Sequence, residues 1–223
     1  MKRRWDYSVY LVTDAALALG RPVEAVVRAA VEGGTTVVQL REKNASARAF
    51  LHVAGGLRDF LRARNIPLVV NDRLDWALAC GADGVHLGQD DLPCAEARRM
   101  AGPDLVIGIS VGTPEDARAA ERDGADYVAV SPVWATPTKP DAPPPAGLEG
   151  IRAVCAATRL PVVAIGGIHA GNAGEVIRAG AAGVAVVSAL MSAPDPARAA
   201  RELRRIVRDA RAAHPLWAGG PSV

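Results

Sequence analysis

The chain has 223 residues, of which 50% are hydrophobic and 4% aromatic, and its formal net charge is +2. This length is typical of one α/β barrel domain whose core is built mainly from Ala, Val, Leu and Ile. The small net charge and the lack of a long basic run argue against nucleic acid or an anionic membrane surface as the main partner.

Short apolar segments alternate with helical patterns along the chain. Glycines, prolines and possible N-cap residues such as Thr113 mark the ends of the helices. The predicted strands cover residues 7–12, 36–41, 68–70, 85–87, 105–109, 127–130, 162–165 and 184–187. The predicted helices cover residues 22–32, 46–64, 74–79, 95–100, 113–124, 148–158, 172–179 and 196–213. Residues 131–146 form a Pro-rich loop, and we expect a loose tail from about residue 214.

A repeated pattern connects the helices to the strands. In Gly81–Val85, Gly124–Val128 and Gly180–Val184, a helix ends on glycine and a buried strand begins a few residues later. Such short connections imply parallel strands, and about eight units fit the length. We therefore predict one domain over residues 1–223, a closed (βα)₈ TIM barrel. An open doubly wound sheet is the alternative, although no Gly-x-Gly-x-x-Gly turn follows the first strand.

Residues 37–43 place several polar side chains on one face of a predicted strand. Val38 and Leu40 point to one side, whereas Gln39, Arg41 and Lys43 point to the other. Neighbouring cations repel one another unless an anion lies among them, so one interpretation is a site for phosphate or pyrophosphate. The other is an exposed edge strand, on which Lys and Arg discourage pairing with further strands.

Two carboxylates follow neighbouring predicted strands. Asp72 follows the strand at 68–70, and Asp91 follows the strand at 85–87, with Asp90 as a weaker candidate beside it. In a barrel these acids would lie at the same rim as the cations, a setting that suits Mg²⁺ with substrate phosphate oxygens. The alternative is that each acid is the N-cap of the helix that follows it.

Other polar and glycine residues follow the remaining strands. Gly166-Gly167 and Val187-Ser188 end the last two predicted strands, where barrels of this type often bind phosphate through backbone N–H groups. Asn71, Ser110, Thr136, Thr138 and Lys139 also follow strands. No histidine is a convincing general base, and His86, inside a strand pattern, is interpreted as a packed or supporting residue.

Nothing in the sequence predicts export or a membrane span. Asp6 and Asp14 interrupt the apolar run near the N-terminus, and no stretch approaches about 18 apolar residues. Cys80, Cys94 and Cys155 lack metal-ligand spacing and are expected to be reduced packing residues. We expect a cytoplasmic protein that binds small molecules and is a possible homo-oligomer.

Several motifs together resemble the thiamine-phosphate synthase family. They are Tyr10-x-Val12-Thr13-Asp14, Gln39-Leu40-Arg41-Glu42-Lys43, Asn71-Asp72-Arg73, Val85-His86-Leu87-Gly88-Gln89-Asp90-Asp91, Thr136-Pro137-Thr138-Lys139 and Ile165-Gly166-Gly167-Ile168. They occur in order over nearly the whole chain. The resemblance implies a (βα)₈ barrel that joins a hydroxymethylpyrimidine diphosphate to a thiazole phosphate, or its carboxylated form, with Mg²⁺. The products would be thiamine phosphate and pyrophosphate.

The resemblance also implies residue roles. Gln39, Arg41, Lys43, Asn71, Ser110 and Lys139 would bind the pyrimidine diphosphate, and among them Arg41, Lys43, Ser110 and Lys139 would be catalytic. Thr136, Thr138, Gly167, Val187 and Ser188 would bind the thiazole phosphate. Asp72 and Asp91 would bind Mg²⁺. The chemistry implied is dissociative: pyrophosphate leaves first, and the thiazole nitrogen then traps a pyrimidinylmethyl cation.

Two other functions fit parts of the sequence. Thiazole tautomerases resemble the chain at Arg41-Glu42-Lys43, but that family uses a histidine soon after the fifth strand, where this chain has Gly112. A barrel that binds a phosphorylated metabolite as a sensor is the non-enzymatic alternative. The two metal-binding acids and the cations argue for the synthase.

Overall fold

A computed structural model describes residues 5–136 and 143–213 of the chain. Eight strands alternate with helices along these residues. The strands are β1 (Val9–Val12), β2 (Val37–Leu40), β3 (Leu68–Asn71), β4 (Gly84–Leu87), β5 (Val106–Val111), β6 (Tyr127–Val130), β7 (Val162–Ile165) and β8 (Gly183–Val186). The helices are α1 (Val23–Glu32), α2 (Ala47–Arg62), α3 (Leu74–Cys80), α4 (Cys94–Ala101), α5 (Pro114–Arg122), α6 (Gly147–Ala157), α7 (Ala173–Arg178), α8 (Ser188–Met191) and α9 (Pro196–Ala212).

The strands form a closed parallel barrel in chain order, with β8 paired to β1. This confirms the predicted (βα)₈ fold and excludes the open doubly wound sheet. Strand β2 pairs with β1 on one side and β3 on the other. The interpretation of residues 37–43 as an exposed edge strand is therefore wrong.

Local side-chain hydrogen bonds fix several helix starts. Ser46 accepts from the backbone N–H of Ala49 at the start of α2. Thr113 and Asp116 form a reciprocal capping box at the start of α5, as the sequence predicts for Thr113. The predicted elements match the observed ones within a few residues. Helix α8 and a 3₁₀ turn at Ala16–Ala18 were not predicted because three or four residues are too few to show a helical period.

The side chains of the strands pack in two layers. Val38 and Leu40 lie in the outer layer, between the barrel and its helices, whereas Val37 lies inside the barrel. This is the alternation that the sequence predicts for β2. The inner layer consists of Tyr7, Tyr10, Val12, Val37, Val69, Val106, Tyr127, Ala129, Val163 and Ala185.

Gly108 makes room for an aromatic ring inside the barrel. It is in β5, next to Tyr127 of β6 in the strand register. A Cβ atom at position 108 would overlap the ring of Tyr127. The two tyrosines Tyr10 and Tyr127 therefore fit into the barrel interior, where each is at most 1% exposed.

Within the described residues, no helix is both long enough and apolar enough to cross a bilayer. The predicted tail from about residue 214 and part of the Pro-rich loop, with Thr138 and Lys139, lie outside the described residues.

Candidate active site

A pocket of ≈ 510 Å³ opens at the carboxyl ends of the barrel strands. This volume lies within the usual range for small-molecule sites. The pocket collects most of the predicted site residues. Those that line it are Gln39, Arg41, Lys43, Asn71, Asp72, Asp91, Ser110, Thr136, Gly167, Val187 and Ser188.

Arg41 follows the last residue of β2 and is held by two contacts from the end of β1. Its backbone N–H donates to Oγ1 of Thr13 at 2.9 Å, and its Nη1 donates to Oδ2 of Asp14 at 2.8 Å. Both charged side chains are only 19% exposed. The sequence did not identify Asp14 as a partner of Arg41, although both belong to the motifs that carry the family resemblance. This ion pair orients the guanidinium at the rim of the pocket.

Asp72 and Asp91 meet at the ends of β3 and β4. Asp72 has a left-handed φ of 62°, and its backbone N–H donates to the carbonyl of His86 at 2.8 Å. Oδ2 of Asp91 accepts from the backbone N–H of Gly88 at 2.7 Å. Helices α3 and α4 begin after Arg73 and Pro93, with no side-chain cap at either start. The alternative that these acids are N-caps is therefore wrong.

The proximity of Asp91 affects the protonation of Asp72. Burial, a hydrogen bond to Asp91 and the negative charge of Asp91 raise the pKa of Asp72 to about 6, although Lys43 opposes this rise. Two repelling carboxylates form an oxygen-donor set that a divalent cation stabilises. No group of three or more His, Cys, Asp or Glu side chains in the described ranges could hold a metal ion. Mg²⁺ fits a two-carboxylate set because it completes its coordination with water and substrate phosphate oxygens.

Ser110 lies within β5 rather than after it, and its side chain faces the same pocket as Asn71. Its hydroxyl lies 3.0 Å from Nε2 of His86. Its backbone carbonyl accepts from Nε2 of Gln89 at 2.6 Å. Hydroxyl and amide groups beside the cationic rim can donate to an anionic ligand.

Gly166 and Gly167 directly follow β7 and have φ values of 102° and 67°. A Cβ atom at Gly166 would lie 2.6 Å from Cβ of Pro132, and one at Gly167 would lie 2.8 Å from Cβ of Trp134. The backbone N–H of Trp134 also donates to the carbonyl of Gly166 at 3.1 Å. The glycines thus let the loop after β6 pack against the end of β7, a reason that the sequence alone did not reveal. This packing places Thr136 at the pocket.

A buried network of hydrogen-bonded side chains lies beneath the pocket, and the sequence did not predict these hydrogen bonds. Nε2 of Gln39 donates to the hydroxyl of Tyr10, and that hydroxyl lies 2.9 Å from the hydroxyl of Tyr127. The same Tyr127 hydroxyl lies 2.9 Å from Nδ1 of His86. His86 was interpreted as a packed or supporting residue, and its burial agrees with this. The tyrosines gave no signal because a strand pattern does not reveal which side chains meet across a closed barrel.

A closed parallel (βα)₈ barrel with a polar pocket at the carboxyl ends of its strands defines an α/β-barrel enzyme. A family model described as thiamine monophosphate synthase matches residues 9–190. The chain therefore belongs to the thiamine monophosphate synthase family, as the motifs predict.

Individual relatives agree over most of the chain. The thiamine-phosphate synthase of Albidiferax ferrireducens is 58% identical over 200 residues, which cover 89% of this chain and 91% of the relative. The thiamine-phosphate synthase of Chloroflexus aurantiacus is 54% identical over 202 residues, covering 91% and 93%. A solved structure, thiamine phosphate pyrophosphorylase from Pyrococcus furiosus, is 43% identical with a TM-score of 0.86. The match covers 92% of this chain and 97% of that structure.

Proposed function

We propose that the protein is a thiamine-phosphate synthase. It joins 4-amino-2-methyl-5-hydroxymethylpyrimidine diphosphate to 4-methyl-5-(2-phosphoethyl)thiazole, or to its carboxylated form, and releases pyrophosphate. The C–O bond between the pyrimidine methylene and the diphosphate breaks, and the electron pair leaves with pyrophosphate. The ring nitrogen of the thiazole then forms a C–N bond to the methylene carbon. With the carboxylated thiazole, the bond between the ring carbon and its carboxylate also breaks, CO₂ leaves, and the ring carbon takes up a proton from solvent.

The observation that carries this proposal is the pairing of acids and cations at one rim. Asp72 and Asp91 would hold Mg²⁺, and Arg41 and Lys43 lie at the same pocket as donors to the diphosphate. Bound there, Mg²⁺ supplies positive charge that neutralises the departing diphosphate. Asn71 and Ser110 add uncharged donors from the neighbouring strands. Charge stabilisation of this kind is commonly the largest contribution to catalysis.

The thiazole phosphate would bind on the other side of the pocket. Gly167, Val187 and Ser188 follow β7 and β8, and Thr136 lies in the loop after β6. Thr138 and Lys139, which lie outside the described residues, would complete the phosphate and diphosphate contacts respectively. The two anionic groups would then lie apart, with the reacting carbon and nitrogen between them.

The wall of the pocket suits a cationic intermediate. Val163, Ile165 and Ala185 line it from β7 and β8, and such apolar side chains limit the access of water to a pyrimidinylmethyl cation. The only histidine inside the described strands, His86, has both ring nitrogens within hydrogen-bond distance of partners, and burial lowers its pKa to about 4. The bond changes above need no general base, so this arrangement supports the dissociative route.

The decisive experiment mixes the purified protein with Mg²⁺ and both substrates and measures thiamine phosphate and pyrophosphate. We expect equal amounts of both products, and no product after Mg²⁺ is chelated. Isomerisation of the thiazole carboxylate without pyrophosphate release would instead indicate a tautomerase. Tight binding of either substrate by folded protein without turnover would indicate a sensor, and would overturn the proposal.

A further inference from the structure

Five side chains from five different strands form a continuous chain of hydrogen bonds across the barrel interior. In spatial order they are Gln39 (β2), Tyr10 (β1), Tyr127 (β6), His86 (β4) and Ser110 (β5). The successive distances are 2.9, 2.9, 2.9 and 3.0 Å. The first four side chains are at most 9% exposed, and Gln39 and Ser110 end the chain in the pocket.

In two proton arrangements, each of the three inner groups donates its proton to a neighbour in the hydrogen-bond chain. Each tyrosine hydroxyl has one proton to donate, and a neutral imidazole has one N–H. The imidazole of His86 is buried between the hydroxyls of Tyr127 and Ser110, and such burial favours its neutral form. Because buried donors are rarely left without an acceptor, every hydrogen bond along the chain points in the same direction, either from Gln39 towards Ser110 or from Ser110 towards Gln39.

The two directions give Ser110 opposite properties. If the chain points towards Ser110, Nε2–H of His86 donates to the hydroxyl oxygen, and the serine proton is free to donate into the pocket. If the chain points towards Gln39, the Ser110 hydroxyl donates its proton to Nε2 of His86, and only the lone pairs of the hydroxyl oxygen face the pocket. An anion at Ser110 favours the first direction, because it needs a hydrogen-bond donor.

The other end of the chain selects the same direction. Nε2 of Gln39 donates to Tyr10, which leaves the side-chain carbonyl of Gln39 available to the pocket. The pyrimidine substrate carries an amino group, which donates hydrogen bonds to a carbonyl. Both halves of one substrate, its amino group and its diphosphate, therefore match a chain that runs from Gln39 to Ser110.

We propose that Tyr10, Tyr127 and His86 are positioning residues that fix Ser110 as a hydrogen-bond donor and link its proton to the orientation of the Gln39 amide. The nature of the anion at Ser110 rests on the proposed function. The one-way chain itself does not, because it follows from the contacts among the five side chains. His86 holds a single tautomer, with the proton on Nε2 and none on Nδ1.

A single substitution at the far end should reverse the chain. In Gln39→Glu the carboxylate accepts from Tyr10, so that each following group must donate towards position 39. The proton of His86 then moves to Nδ1, and the Ser110 hydroxyl turns to Nε2. The double variant Gln39→Glu/Tyr10→Phe carries the same charge but cannot transmit the reversal, because Tyr127 still donates to His86.

The first test is ¹⁵N NMR of the imidazole nitrogens in the free protein and with inorganic pyrophosphate and Mg²⁺ added. Spectra are recorded at about pH 9, above the range to which burial lifts most glutamate pKa values, and His86→Gln identifies the signals. We expect the Nε2–H tautomer in the wild type and in the double variant, and the Nδ1–H tautomer in Gln39→Glu. An Nδ1–H tautomer in the wild type, or the same tautomer in all three proteins, would overturn the proposal. This result stands whether or not the protein is a synthase.

The second test measures inhibition of turnover by inorganic pyrophosphate. Gln39→Glu should weaken inhibition by pyrophosphate about tenfold, since one donor to an anion is lost. The double variant Gln39→Glu/Tyr10→Phe should recover most of the wild-type inhibition. The matched control is Tyr7→Phe, because Tyr7 packs against Tyr127 at 5.0 Å between ring centroids but is not part of the hydrogen-bond chain. Losses that simply add in the double variant would mean that Tyr10 has only a packing role, and would contradict the proposal.

Discussion

The carboxyl groups of Asp72 and Asp91 lie within hydrogen-bond reach of each other, so that Asp72 can donate to Asp91 when it is protonated, and the backbone of Asp72 has a left-handed φ of 62°. Neither feature stabilises the folded protein by itself, because like charges repel and the left-handed region, although Asp enters it more readily than most residues, is less favourable than the right-handed one. Such strain is typical of functional sites, where binding offsets it. A cation between the two carboxylates would convert the repulsion into attraction.

We expect Asp72→Asn to raise stability in Mg²⁺-free buffer and to weaken Mg²⁺ binding by at least tenfold. Because the folded-state pKa of Asp72 is raised to about 6 from 3.8, the unfavourable charge is fully present above pH 6 and disappears as pH falls through 3.8. The gain should be about 1 kcal/mol at pH 8, since solvent screens a half-exposed carboxylate. Asparagine tolerates the left-handed backbone.

Urea unfolding with chelator at pH 8 and at pH 3.5 measures this gain, and calorimetry measures Mg²⁺ binding. Asp104→Asn, which removes an exposed acid outside the pocket, is the control and should change neither quantity. Unchanged Mg²⁺ affinity in Asp72→Asn would remove this residue from the candidate metal site.

Arg41→Ala should lower kcat/KM by at least tenfold while changing the melting temperature by only a few degrees. The guanidinium lies at the pocket, and a hydrogen bond to a charged group contributes about 1.5–3 kcal/mol. The matched control is Arg48→Ala, which removes an exposed arginine from α2. Enzyme kinetics and thermal unfolding of the two variants separate the roles. A large fall in melting temperature without loss of activity would show that Arg41 is structural.

Asp14→Asn tests whether the ion pair at 2.8 Å orients Arg41. The variant keeps the size of the side chain but removes its charge. The guanidinium of Arg41 is then held in place less firmly, and its partly buried charge is no longer balanced by a carboxylate. We expect a severalfold loss of kcat/KM that is absent when Arg41 is already alanine. A double-mutant cycle with both substitutions measures this coupling. Fully additive losses would mean that Asp14 acts independently of Arg41.

Much of the fold could be predicted from the sequence because it depends on local patterns. The alternation of Val38 and Leu40 with Gln39 gives the two faces of β2, and Thr113 gives the start of α5. The rim location of the acids and cations follows once parallel strands are accepted, since their carboxyl ends share one side of the barrel. These features require only neighbours in sequence or the direction of the strands.

The remainder depends on contacts between distant parts of the chain. Tyr10 and Tyr127 are 117 residues apart, and only closure of the barrel brings their hydroxyls within 2.9 Å. The packing of Gly166 against Pro132 depends likewise on the path of the loop after β6. Asp14 could not be assigned to Arg41 because the ion pair joins the ends of two strands across 27 residues. No periodicity within a segment encodes such pairs.

Buried His86 should make stability depend on pH in a defined window. Its folded-state pKa is lowered to about 4, whereas the unfolded chain takes up a proton near 6.5. The unfolded state therefore binds more protons between these values, so that stability is full above pH 6.5 and falls as pH drops towards 4. The contribution is about 3 kcal/mol over this window.

Urea unfolding of the wild type and His86→Gln at pH 7.5 and pH 4.5 tests this dependence. We expect the wild type to lose about 3 kcal/mol more than the variant on going to the lower pH. His52→Gln, at an exposed position on α2, should lose as much as the wild type. Equal losses in the wild type and His86→Gln would show that His86 takes up a proton as readily in the folded protein as in the unfolded chain, and would contradict the prediction.

Two Gly→Ala substitutions should have opposite effects on stability. Gly166 has a φ of 102°, and an added Cβ would lie 2.6 Å from Cβ of Pro132, so alanine is disfavoured by both backbone and packing. We expect Gly166→Ala to lower the free energy of unfolding by about 2–3 kcal/mol and to raise KM for the thiazole phosphate.

Gly55 lies within helix α2 with no atom within 4 Å of an added Cβ. There alanine should raise stability by about 1 kcal/mol without changing KM, because glycine is a poor helix former. Urea unfolding and steady-state kinetics of both variants make the comparison, and equal stability of the two would contradict the packing of the loop after β6 against the end of β7.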